Sequence, residues 1–187
     1  MADPNGGDSA GGARTAILMK RATAASMAVA GTLVIVKVAA WLATGSVAML
    51  SSVIDSLLDV VASFINLVAV HQALIPADAE HRFGHGKAEA VAGLGQSAII
   101  TGSAAFLLFQ AGERLIHPVE IANSRVGIAV MLFSMVLTLG LVIFQRRVVR
   151  ATKSIAISAD SLHFESDFLM NLGVIVALVL SSNFGFV

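Results

Sequence analysis

The sequence contains no cysteine. That absence excludes disulfides, thiolate zinc sites and thiol catalysis, and it leaves carboxylate and imidazole as the strong metal ligands, so any metal centre here is of O/N character. Charge is scarce as well: Lys, Arg, Asp and Glu make up 13% of 187 residues, against about a quarter in soluble domains. With 57% hydrophobic residues and a mean hydropathy of +0.86, this scarcity implies an integral membrane protein. There is no basic domain to bind nucleic acid, and no H-E-x-x-H helix to build a zinc peptidase. The start, MADPNGGDSAGGAR, lacks the basic beginning and apolar core of a cleavable signal peptide. Residues 1–19 are expected to form a disordered cytoplasmic tail ahead of a membrane domain over 20–187.

What is present is hydrophobic and helix-length. Five stretches, near 22–43, 47–74, 89–112, 126–145 and 155–182, are long enough to cross about 30 Å of hydrocarbon, which takes roughly 20 helical residues. The expected fold is all-α, a polytopic transmembrane helix bundle. Nine basic residues (Arg14, Lys20, Arg21, Arg82, Lys87, Arg146, Arg147, Arg150, Lys153) collect on one side of these spans, and only Arg114 and Arg125 on the other. Because short cytoplasmic loops carry the basic excess, the N-terminus is expected in the cytoplasm. The arginines after the fourth span are most simply topogenic charges near anionic lipid.

Two spans carry acids where the hydropathy calls for lipid. Asp55 and Asp59 lie in the second, His163 and Asp167 in the fifth, each pair at i, i+4 spacing and therefore on one helix face. A charge at the bilayer centre costs roughly 2.5–3.5 kcal/mol on the mildest insertion scale, so such groups mark function by default. At about 1.5 Å rise per residue, both pairs lie roughly 14 and 20 Å from the ends at which their helices enter. Antiparallel helices would then set Asp55 against Asp167 and Asp59 against His163, giving four ligands, the number a tetrahedral Zn²⁺ site uses. The bland alternative pairs the acids with Lys37, but one lysine cannot neutralise three carboxylates. His163 without Asp167 four residues on would read as readily as a packing hydrogen bond.

The segment PADAEHRFGHGKAEA, from Pro76 to Ala90, follows SVAMLSSVIDSLLDVVAS and precedes ADSLHFESD. Together these resemble the cation diffusion facilitator family, most closely its bacterial zinc and ferrous-iron efflux branch, over almost everything from Lys20 to Ser182. The resemblance rests on three motifs in order: D-x3-D, then D-x2-H-x3-H running into F-G-H-G-K-x-E, then H-x3-D. It implies an inner-membrane exporter of a divalent cation in exchange for protons, working by alternating access. Asp55, Asp59, His163 and Asp167 match the family's intramembrane transport site, and Asp78, His81 and His85 match its second metal site in the cytoplasmic loop. Leu162 sits where relatives have a bulky apolar residue beside the inner approach to the site. Lys87 matches a lysine that pairs in relatives with an acid beyond a sixth helix. Relatives also carry a cytoplasmic C-terminal domain that holds a homodimer together; this sequence stops at Val187, after the fifth span, so a sixth helix and that domain are expected to be missing or supplied by another chain.

The chemistry of such a site follows from its ligands. Carboxylate and imidazole bind a cation only when deprotonated, so cation and proton compete for them. Imidazole changes charge near neutral pH, which makes His163, with Asp59, the expected proton-coupling group. Zn²⁺ ranks first and Fe²⁺ second as transported substrate, with cadmium, cobalt and manganese compatible with the ligand types; no permanent cofactor is implied. A chain that binds metal without transporting it is the alternative. Asp78, His81 and His85, as loop residues, could also be merely solvated. His71, His117, Glu80 and Glu89 read as interfacial or solvated. The small residues Gly31, Gly102, Ser103, Ala104 and Ala105 are expected to permit close helix approach.

Overall fold

The computed structural model describes residues 6–116 and 125–184, and within them the chain is five α-helices with no strand. These are α1 (Gly6–Thr44), α2 (Val47–Ala73), α3 (Lys87–Ile116), α4 (Arg125–Thr152) and α5 (Ile155–Phe184). Four of the five predicted spans fall within one helix each, and the second, 47–74, overruns α2 by its C-cap Leu74. By length and apolar composition, three stretches among the described residues could cross a membrane: Gly11–Thr44, Met49–Ala73 and Arg125–Thr152. The N-terminal expectation fails: α1 is already helical at Gly6 rather than disordered to residue 19. Met19 packs in the core, so the segment before the first hydrophobic run has tertiary contacts that composition does not show.

Two tight connections set the pairing. Between α1 and α2, Gly45 takes a left-handed conformation (φ +62°) and its N–H returns to the Trp41 carbonyl at 2.8 Å, a helix C-cap that favours glycine. Between α4 and α5 the same role falls to Lys153 (φ +58°), whose N–H bonds the Val149 carbonyl at 2.8 Å. With such short links, α1 and α2 pack as one hairpin and α4 and α5 as another. The helices close a ring in the spatial order α1, α2, α3, α5, α4, and α2 also meets α5 across it.

The core of the ring is layered. Near the ends of α2 and α4 and the starts of α3 and α5 lies an apolar layer built on Met19, Ala22, Val70, Ala92, Val148 and Ile157. A second apolar layer, Ala30, Leu141, Val142 and Phe164, lies further along α1, α4 and α5. Between them each helix contributes a buried polar side chain, from Ser26 on α1 to Asp160 on α5.

Close approach is found elsewhere than expected. Gly31 and Gly102 face open space, and Gly102, Ala104 and Ala105 are exposed. Instead a Cβ added at Gly93 would meet Ile155 Cγ2 at 3.1 Å, where α3 passes the start of α5.

Candidate metal centre

The couplets occupy the same register in their helices: Asp55 and Asp59 are the ninth and thirteenth residues of α2, and His163 and Asp167 the ninth and thirteenth of α5. The structure brings three of the four together. His163 Nε2 lies 3.1 Å from Asp59 Oδ1 and 3.8 Å from Asp167 Oδ2, and one ligand atom from each residue falls within 4.8 Å of the others. His163 is buried and both acids are half-buried. Asp167 Oδ2 is buried without a hydrogen-bond partner, the condition of an acceptor that awaits a cation or a donor.

Asp55 stays outside this group, on an exposed part of α2. The expected Asp55–Asp167 pair is therefore not formed here, whereas Asp59 and His163 do face each other. The cause lies in the packing of α2 against α1: Ser56, fully buried, accepts a hydrogen bond from Lys37 Nζ at 2.6 Å, and Lys37 also reaches the Ser52 carbonyl at 3.4 Å. Directing Ser56 inward turns Asp55, one residue before it, away from α5. Lys37 thus serves the α1–α2 interface and forms no ion pair within 4 Å among the described residues.

The loop group also assembles. Asp78 Oδ1 accepts the backbone N–H of His81 at 2.5 Å and of Glu80 at 3.0 Å, and His81 Nδ1 lies 3.3 Å away. His85 Nε2 is 3.8 Å from Asp78 Oδ2, and the two imidazole rings stand 4.4 Å apart. Gly84 makes this fold-back with φ +73°, its N–H bonding the His81 carbonyl at 2.9 Å. The His81 backbone N–H, above all, and then its side chain, hold the Asp78 carboxyl below the usual carboxylate range. An anionic group is therefore kept beside two imidazoles, one of which, His85, has a buried Nδ1 without a partner.

The remaining named residues divide. Lys87 opens α3 on an exposed site, and Leu162 is exposed beside His163. His71 and Glu80 are exposed, and His117 lies outside the described residues. Glu89 is not merely solvated: its carboxylate accepts hydrogen bonds at the N-terminus of α5, from Ser154 Oγ at 2.6 Å and from the N–H of Ile155 at 2.9 Å. Arg146 pairs with Glu165, linking α4 to α5. Sequence reasoning missed Asp160, fully buried, whose oxygens accept from Gln96 Nε2 at 3.1 Å and Gln145 Nε2 at 2.6 Å. Its signal was in plain view as an acid in a membrane-length helix, but it has no i+4 partner.

An all-α bundle of membrane-length helices with a half-buried acid–imidazole centre defines a membrane protein built to handle cations. Residues 23–185 match the family model of the cation efflux transmembrane domain, and the chain belongs to that family. It is 50% identical over 163 residues to the "Cation-efflux pump FieF" of Shewanella oneidensis, covering 87% of this chain and 55% of that protein. Proteins of the same name from Klebsiella pneumoniae subsp. pneumoniae (49% over 164 residues) and Salmonella agona (48% over 164 residues) match over 88% of this chain and 55% of their own length. The chain thus spans about half the length of these relatives.

Proposed function

We propose that this chain provides the membrane pathway of a divalent-cation efflux transporter, with Zn²⁺ as first substrate and Fe²⁺ as second, exchanged for protons by alternating access. The observation that carries this reading is the convergence of Asp59, His163 and Asp167 from two membrane helices, with one carboxylate oxygen left unpartnered. Two carboxylates and an imidazole bind a divalent ion only after giving up protons, so the two cargoes exclude each other at one place. Asp55, one turn along α2, is the fourth ligand, recruited when the ion draws the acids together; His163 and Asp59 couple the ion to protons. Asp78, His81 and His85 form a separate loop site, Leu162 lines the inner approach, and Lys87 offers a charge for a cytoplasmic partner. The setting is a multi-pass protein of the inner membrane, N-terminus in the cytoplasm, in contact with lipid and able to pair as a homodimer.

Zn²⁺-driven proton movement in proteoliposomes, paired with equilibrium Zn²⁺ binding, tests the reading. Flux lost in Asp59→Ala supports a transport site; flux unchanged in that variant overturns it. Tight binding with no flux would instead assign the chain to metal binding without transport.

A further inference from the structure

Between the two apolar layers stands a polar layer that the Asp59–His163–Asp167 group does not use. Asp160 on α5 is its centre, with Gln96 from α3 and Gln145 from α4 donating to its two oxygens and Ser26 of α1 and Asn66 of α2 beside it. All five are buried to 2% exposure or less. Among the described residues no cationic side chain forms an ion pair within 4 Å of this acid, although a carboxylate removed from water is costly unless a positive partner neutralises it. Three oxygens of the same residues, Asn66 Oδ1, Gln96 Oε1 and Gln145 Oε1, are buried without a hydrogen-bond partner, as is Asn66 Nδ2. Buried polar atoms in folded proteins are rarely left unsatisfied, and where they are, an ion or water is the usual explanation.

The chemistry of the amides makes an ion the better fit. The two ends of a Gln side chain are nearly the same shape, so a half-turn of the amide group replaces a donor facing the carboxylate by an acceptor without moving the helix. In the arrangement seen, the amides donate to Asp160; turned over, Gln96 and Gln145 would add two oxygens to the two of Asp160, with Asn66 Oδ1 beside them. Oxygen-only donor sets of this kind suit hard divalent ions such as Mn²⁺. We propose that this layer is an inner cation subsite, held by Asp160 with Gln96, Gln145 and Asn66, which receives a divalent ion on its way to Asp59, His163 and Asp167. Asp160 precedes His163 by three residues, about 4.5 Å along the axis, on the side of the bundle from which the 78–85 loop projects. The inference rests on the proposed function, because its ligand is the ion bound for that site.

Mn²⁺ binding to the 187-residue chain in lipid nanodiscs, followed by electron paramagnetic resonance, tests it. In a background lacking the other ligands (Asp59→Ala, His163→Ala, Asp167→Ala, Asp78→Ala, His81→Ala, His85→Ala), one Mn²⁺ per chain is expected to remain, without directly bound nitrogen. Adding Asp160→Asn, which keeps the side chain's shape, should abolish it. No Mn²⁺ in that background, when the wild type binds it, means that water alone fills the layer and overturns the proposal; so does binding that survives Asp160→Asn. Should the multiple variant fail to fold, Asp160→Asn alone decides: the wild-type count of bound Mn²⁺ is expected to fall by one with the nitrogen-coupled signal kept, and an unchanged count overturns the inference. Failure of the transport reading looks different, as wild-type vesicles that show no Asp59-dependent flux.

Discussion

The carboxylate of Glu89, in the first turn of α3, accepts the hydroxyl of Ser154 at 2.6 Å and so sits on the N-terminus of α5. Ser154 in turn accepts the N–H of Ile157 at 3.3 Å, completing a cap made by two helices. An acid at a helix N-terminus also meets the positive end of the helix dipole. Glu89→Ala is therefore expected to destabilise the chain by about 0.5–2 kcal/mol. Glu89→Gln, which keeps an acceptor oxygen and loses the charge, should fall between it and the wild type. Denaturation in detergent micelles measures both, and an Ala variant as stable as the wild type would remove Glu89 from this role.

Asp59 and Asp55 are one turn apart yet differently placed, so their substitutions should separate. With the loop ligands removed, Asp59→Ala or His163→Ala is expected to weaken Zn²⁺ binding by more than the roughly 10–100-fold that outer-shell changes cost. Asp55→Ala should cost less. Titration calorimetry in nanodiscs gives the comparison; equal losses at 55 and 59 would show that the bound ion uses Asp55 as fully as Asp59.

The lowered pKa of Asp78 fixes the sign of its pH dependence. A carboxyl depressed on folding contributes stability in full above its unfolded value of about 3.9, and that contribution is lost as pH falls through the lower folded value. Asp78 should thus keep holding the 78–85 turn from pH 7 to 5, with tryptic cleavage at the exposed Arg82, measured relative to an unstructured control peptide at each pH, unchanged across that range. Asp78→Ala should speed that cleavage at pH 7, and no change in rate would mean that the carboxylate does not hold the turn.

Lys153 occupies a left-handed conformation that side chains with a Cβ rarely adopt. Lys153→Gly is expected to stabilise the chain by about 0.5–1 kcal/mol, the relief at φ +58° being partly offset by the greater freedom of glycine in the unfolded chain. A loss of stability would point instead to a contact made by the lysine side chain.

The five helices were legible because lipid-length hydrophobic runs leave little alternative to helix. The 78–85 group was legible for a local reason as well: Asp78, His81 and His85 lie within eight residues and one turn folds them together. Spacing also placed Asp55 with Asp59 and His163 with Asp167 on common faces of single helices. What spacing could not give is how far each helix is rotated about its axis. That angle is set where Ser56 meets Lys37 and where Gln96 and Gln145 reach Asp160, contacts between residues 15 to 64 positions apart.

The sequence by itself therefore determined the helices, their polar faces and the carboxylate and imidazole groups those faces carry. Only the tertiary structure decided which acids meet His163, that Asp55 stands apart, that Glu89 caps a distant helix and that Asp160 lies at the centre of the bundle. The physical reason is that an α-helix fixes the relations of its own side chains through a 3.6-residue period, whereas the rotation and offset between helices follow from how whole side-chain surfaces interlock.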